Sequence, residues 1–188
     1  HPRLISILLG AFIIGVALGS LLCNRLSRGV IEPGIVPLGA IGLSIFAFDL
    51  SFASIAYQEA HGSLSAVMPM RFLGLDGGPH ILIDLVLIGM FGGFFIVPLN
   101  SMVQQRTAAN NRARVLSVNA IMNSAYMVGG SLLGIFFLSI LGWSIVSFFI
   151  TVAVMNILVV GIIFVREPEF FSRFKLWSSS RFKLLSNR

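Results

Sequence analysis

Charge is scarce in this chain of 188 residues: 11% are charged and 56% are hydrophobic, with a mean hydropathy of +0.95. A soluble domain of that length has no interior large enough to hide so much apolar surface, which excludes a soluble globular class. Cysteine is scarcer still. Cys23 is the only one, so no internal disulfide can form, and a silent thiol buried in lipid is the expected state. The three histidines fit no zinc spacing along the chain, so neither a metal nor any other cofactor is expected. A phosphate-cradling or dinucleotide-binding loop is missing too, because Gly74, Gly77 and Gly78 fall in a connection without the strand such a loop needs.

Long apolar runs take the place of what is missing. A helical span needs about 20 mostly apolar residues, and five stretches qualify: 4–23, 35–56, 81–103, 115–139 and 145–165. Runs of this length exclude strands and predict an all-α integral membrane fold. The first run lacks the basic start and the small-residue cleavage pattern of a signal peptide. It follows His1-Pro2-Arg3 where a methionine would be expected, so the chain reads as truncated at its start.

Basic residues divide between alternate connections. Arg25 and Arg28 lie in the first, Arg106, Arg112 and Arg114 in the third, and Arg166, Arg173, Lys175, Arg181, Lys183 and Arg188 follow the last span. Eleven of the thirteen basic side chains thus share one side, with only Arg3 and Arg71 opposite. The positive-inside rule makes that side cytoplasmic, with the first residue outside and the last inside. The net charge of +6 is therefore a topology signal and gives no support to a nucleic-acid partner.

The most unusual run is Ile88-Gly-Met-Phe-Gly-Gly-Phe-Phe-Ile-Val-Pro-Leu-Asn100, which passes directly into Gln104, Gln105 and Arg106. Membrane spans keep glycine and proline where backbones approach closely or where a bend is useful. Gly89, Gly92 and Gly93 precede Pro98, which deletes the helical bond to the carbonyl of Phe94 and can seat a bend. This helix is expected to bend or rock. The run resembles, nearly residue for residue, the tenth helix of the lysophospholipid transporter family, a branch of the major facilitator superfamily. The resemblance implies helices eight to twelve of a six-plus-six carrier, the C-terminal half, with an N-terminal half of the same transporter as partner. Five crossings that start outside and end in the cytoplasm suit that assignment.

After the first span, Asn24-Arg25-Leu-Ser-Arg28 is similar to the superfamily's Gly-x-x-x-Asp-Arg-x-Gly-Arg turn, with Ser20 and Ser27 in place of both glycines and Asn24 in place of the acid. The resemblance implies that Arg25 and Arg28 help hold one inward-facing arrangement; topology determinants at the headgroups are the preferred explanation. Small residues also repeat every four positions at Ala11, Gly15 and Gly19, at Gly89 and Gly93, and at Gly130 and Gly134. Each such face is expected to pack against a neighbouring helix.

Polar groups within the spans are the remaining candidates. Asp49 is the deepest acid, and an acid at the bilayer centre costs about 2.5 to 3.5 kcal/mol. It can bind a cation, a proton or a headgroup amine, or pair structurally. Asp84, nearer the interface, is expected to be solvated. Asn119, Asn123 and Tyr126 share one helical face and are expected to line a substrate path, with interhelical hydrogen bonding as the alternative; Asn100 lies at the same cytoplasmic level, and Asn156 is expected to be a separate packing contact.

Relatives in the family carry a fused acyltransferase that uses an Asn-His-x-x-x-x-Asp pattern. Here His80 is followed by Asp84 one residue too soon and Pro79 replaces the asparagine, so no catalytic residue is assigned and the chain reads as a non-enzyme. Residues 166–188 place Phe170, Phe174 and Trp177 among basic side chains, a pattern expected to lie on the cytoplasmic leaflet. The Glu167-Pro-Glu-Phe-Phe start of this tail is similar to the junction through which fused relatives continue. The resemblance implies a secondary carrier of lysophospholipids in a bacterial inner membrane, working by alternating access among membrane lipids. A membrane module serving an acyltransferase and a carrier of a small polar solute are the alternatives.

Overall fold

The computed structural model describes residues 2–27, 34–62 and 69–166, all helical apart from short connections. In chain order the helices are α1 (Pro2–Ser27), α2 (Ile35–His61), α3 (Pro69–Gly74), α4 (Gly78–Arg106), α5 (Arg112–Ile135) and α6 (Ile145–Arg166). A single 3₁₀ turn, Ala109–Asn111, precedes α5, and a π-turn, Phe136–Ile140, extends it. All except α3 are long and apolar enough to cross a membrane. The chain is therefore built as a multi-pass membrane protein, with large apolar side chains such as Ile5, Phe52, Met127 and Ile162 facing outwards. In water such a surface would be unstable; against lipid it is the ordinary exterior.

The predicted spans fall on these helices with ends that differ by a few residues. α4 is longer at both ends than 81–103, because Pro79 is accepted in the first turn, where its missing N–H has no helical partner to lose. The left-handed Gly77, at φ 90°, turns the chain into it. Pro98 is buried inside α4, and the helix continues past it to Arg106. The short α3 had no counterpart in the hydropathy pattern. It folds Phe72 onto Tyr57, with ring centroids 5.3 Å apart.

α4 is the hub, packed between α1 and α2, while α6 lies on the other side of α2. The contact between α1 and α4 is made by their glycines. A Cβ on Gly15 would strike the carbonyl of Val86, one on Gly19 that of Met90, and one on Gly89 the backbone of Phe12 and Val16. A Cβ on Gly93 would lie 2.9 Å from the Gly19 carbonyl carbon and the Ser20 nitrogen. Two small-residue stripes thus face each other, and because their residue numbers rise together the helices run parallel. Close approach of this kind gains dispersion in a medium where hydrophobic burial supplies little.

The α2–α4 contact is asymmetric. Gly39 admits the α4 backbone at Phe91 to Phe95, and Gly42 lies under the Phe91 ring, which also stacks on Phe46 at 5.4 Å. Numbers fall along α2 as they rise along α4, so this pair is antiparallel. Two apolar clusters close the ends: Leu4, Leu50, Tyr57, Phe72 and Ile81 at the end where α4 starts, and Cys23, Ile35 and Phe94 at the other. Cys23 is thus buried among protein side chains and not in lipid.

Of two expectations about packing, one holds and one is corrected. Asn156 makes a packing contact apart from the α5 stripe, its amide donating to Ser44 Oγ at 2.9 Å and tying α6 to α2. Gly130 meets no neighbour and Gly134 approaches only the Phe148 ring, at 3.9 Å, so the third small-residue stripe does not join helices among the described residues. No side chain of α5 is buried, and most of its packing is with the short turns that flank it. The π-turn reverses the chain there through Gly142, at φ 65°, with Phe137 against Trp143 at 4.7 Å.

The glycines of α4 have separable roles, which gives a first prediction. Gly89→Ala should destabilise the bundle by about 1 to 3 kcal/mol, since its methyl meets backbone that cannot rotate away. Gly92→Ala, whose methyl would meet only Leu43 at 3.9 Å, should be neutral or slightly stabilising. Unfolding midpoints of the two variants in detergent distinguish these outcomes.

Candidate functional site

The antiparallel register of α2 and α4 determines which polar groups meet. It sets Asp49, midway along α2, level with Asp84, which lies six residues into α4 and so about 9 Å from its start. His80 is one turn earlier on the same face as Asp84. Its Nε2 lies 3.2 Å from Asp49 Oδ2 and 3.7 Å from Asp84 Oδ2. All three ligand atoms fall within 4.8 Å of one another, the one such group of metal-ligating side chains among the described residues.

Burial is opposite to the expectation. Asp84 is the enclosed acid, with 2% of its side chain exposed, whereas Asp49 and His80 retain 46% and 53%. Asp84 is covered because α1 and α2 both pack on α4 at this level, which hydropathy could not reveal. Its Oδ2 has no hydrogen-bond partner, for His80 is too distant to donate to it. An imidazole nitrogen carries one proton or one lone pair, so Nε2 serves a single carboxylate. Asp49 takes that role, and Asp84 is left aimed at the same point.

His80 is the residue that sequence reasoning passed over. Scanning for histidine spacings or for an acyltransferase pattern looks along the chain, while this cluster draws its third member from another helix. The available signal was the four-residue interval between His80 and Asp84, which places both on one face of a helix.

A cavity of about 390 Å³ opens at the same end of the bundle. Leu8, Leu50, Ile81, Leu85 and Phe149 form its apolar wall, and Ser51, Ser54, Gln58 and Ser144 bring polar groups to it from α2 and from the start of α6. Such a mixed lining suits a ligand with a polar and an apolar part.

The other predicted site residues lie apart from this region. Asn100 is exposed in the last third of α4, Asn119 is half-exposed on α5, and Asn123 and Tyr126 are exposed on the same helix. Because α5 does not pack extensively on α4, these four do not form one lined path within the chain. Gly89 and Gly93 face α1, Gly92 faces α2, and Pro98 is enclosed beside them. Asn24 and Arg25 are exposed at the end of α1, while Arg28 and the tail from residue 167 lie outside the described residues. Comparisons of the chain with family models, with curated proteins and with solved structures find no match.

A buried carboxylate with one oxygen lacking a hydrogen bond works against the fold. An unsatisfied polar group costs about 1 to 3 kcal/mol, and a charged one costs more. Asp84→Leu, measured with a chelator present, should therefore raise the unfolding midpoint, while Asp49→Asn should leave it nearly unchanged. A fall in the midpoint of Asp84→Leu would show that the carboxyl supports the bundle.

Proposed function

We propose that the chain is part of a secondary carrier that moves lysophospholipids across a bacterial inner membrane, with its first residue outside and its last in the cytoplasm. The observation that carries this reading is the cavity between α1, α2, α4 and α6, whose largely apolar lining also includes hydroxyl and amide groups. A lysophospholipid presents both kinds of surface, one acyl chain joined to a polar headgroup. The likeness of 88–106 to the tenth helix of lysophospholipid transporters supports the same class of cargo.

The alternation of basic loops supports the orientation, and the packing agrees with alternating spans whichever end lies outside. Successive spans must alternate in direction, so α1 and α4, the first and third long helices, should run parallel, and α2 antiparallel to α4. Their contacts have those senses. In the proposed orientation the cavity and the Asp49–His80–Asp84 cluster open at the outer side, where a lipid from the outer leaflet would enter. α5, with no buried side chain and with Asn119, Asn123 and Tyr126 on one face, is then the helix that completes the central path with the N-terminal half. Alternating access would move that half against this one about a midplane site.

The test is flipping of labelled lysophosphatidylethanolamine in proteoliposomes containing the complete carrier. Ser54→Trp, which fills the cavity, should reduce the flipping rate at least tenfold. Val165→Trp, on an exposed position near the far end of α6, should leave it unchanged. Uptake of a small polar solute that unlabelled lysophospholipid does not inhibit would overturn the lipid assignment.

A further inference from the structure

We propose that Asp49, His80 and Asp84 form a binding site for one divalent transition-metal ion of the zinc class, at the end of the bundle where α4 begins. Three features of the cluster point to an ion.

The first is the orphaned atom. Asp84 is enclosed by packed helices, and its Oδ2 is directed at His80 Nε2 yet lies 3.7 Å from it with no hydrogen-bond partner. The half-exposed Asp49 reaches the same nitrogen at 3.2 Å. A single proton on Nε2 satisfies one of these oxygens and leaves the other. A divalent cation accepts electron pairs from both oxygens and from the nitrogen at once, and its two positive charges balance the two carboxylates.

The second is the spacing. Zinc binds imidazole nitrogen and carboxylate oxygen at about 2.0 to 2.2 Å in a tetrahedron, whose edges between ligand atoms are then about 3.4 Å. The two separations from His80 Nε2 bracket that value, and the three atoms already share a space no more than 4.8 Å across. Small side-chain rotations bring them to coordination distance. The scaffold is prepared for them because the glycine contacts of α4 with α1 and α2, which begin at Val86 just past the cluster, hold the helices in register.

The third is the donor set. One imidazole and two carboxylates suit zinc, cobalt or manganese, whereas calcium and magnesium take oxygen ligands and monovalent copper prefers sulfur. Three protein ligands leave a fourth tetrahedral position for water, beside the exposed faces of His80 and Asp49. The ion site depends only on these residues and stands whether or not the chain moves lysophospholipid.

Cobalt(II) titration of the purified full chain in detergent, after chelator treatment, tests the site through the visible absorption of the ion itself. One equivalent should produce the intense bands of four-coordinate cobalt, and equimolar zinc should abolish them. Loss of an outer-shell partner already weakens metal sites 10- to 100-fold, so Asp49→Asn, His80→Gln and Asp84→Asn should each weaken binding by about tenfold or more. Asp49 and His80 are half-exposed, so their variants probe the site without disturbing the core that Asp84 occupies. Asp76→Asn, an exposed acid in the preceding turn, should leave the affinity unchanged. Absence of the four-coordinate spectrum, binding that survives the Asp49 and His80 variants, or equal displacement by magnesium would overturn the proposal.

Discussion

The backbone contact between α1 and α4 is the constraint on which the rest of the bundle depends. Gly15 and Gly19 on one helix and Gly89 and Gly93 on the other have no side chain to interpose, so the main chains meet directly. In a membrane the solvent is as apolar as the side chains, and association must come from close dispersion contact and a few interhelical hydrogen bonds. Bulk at any of these four positions would separate the helices. With α1 seated, the opposite face of α4 is free to receive Gly39 and Gly42 of α2 beneath Phe91, and α2 in turn presents Ser44 to Asn156 of α6.

This packing positions the polar chemistry. The α2–α4 register, set by Gly39 and Gly42, is what brings Asp49 level with Asp84, and the α1 contact is what encloses Asp84. The buried acid is thus a product of packing whose main stabilising contacts lie elsewhere. Local rules are commonly broken at functional sites and compensated by the surrounding fold. A buried carboxylate whose Oδ2 lacks a hydrogen bond, beneath a half-exposed imidazole and a second acid, fits that pattern. The adjoining cavity, with its apolar and hydroxyl-bearing walls, is formed by the same four helices at the same end.

α5 stands outside this scheme. It has the length and hydropathy of a span, yet none of its side chains is buried and its glycines at 129 and 130 touch nothing. Neither its small-residue stripe nor its polar face is covered by another helix among the described residues. Stripes of this kind look alike in sequence whether or not a partner is present, which is why Gly130 and Gly134 read there like Gly15 and Gly19.

The sequence by itself determined that the chain is helical and membrane-spanning, where its five long helices fall, and which residues are small enough for close contact. Those properties follow from composition and local periodicity, and they are expressed without reference to any other part of the chain. Only the tertiary structure decided which glycine stripes found partners, that Asp84 and not Asp49 is enclosed, and that His80 joins two acids from different helices. Each of these depends on the register between helices distant in sequence. Hydropathy carries little information on register, because the faces of a membrane helix that meet lipid and those that meet protein are both largely apolar.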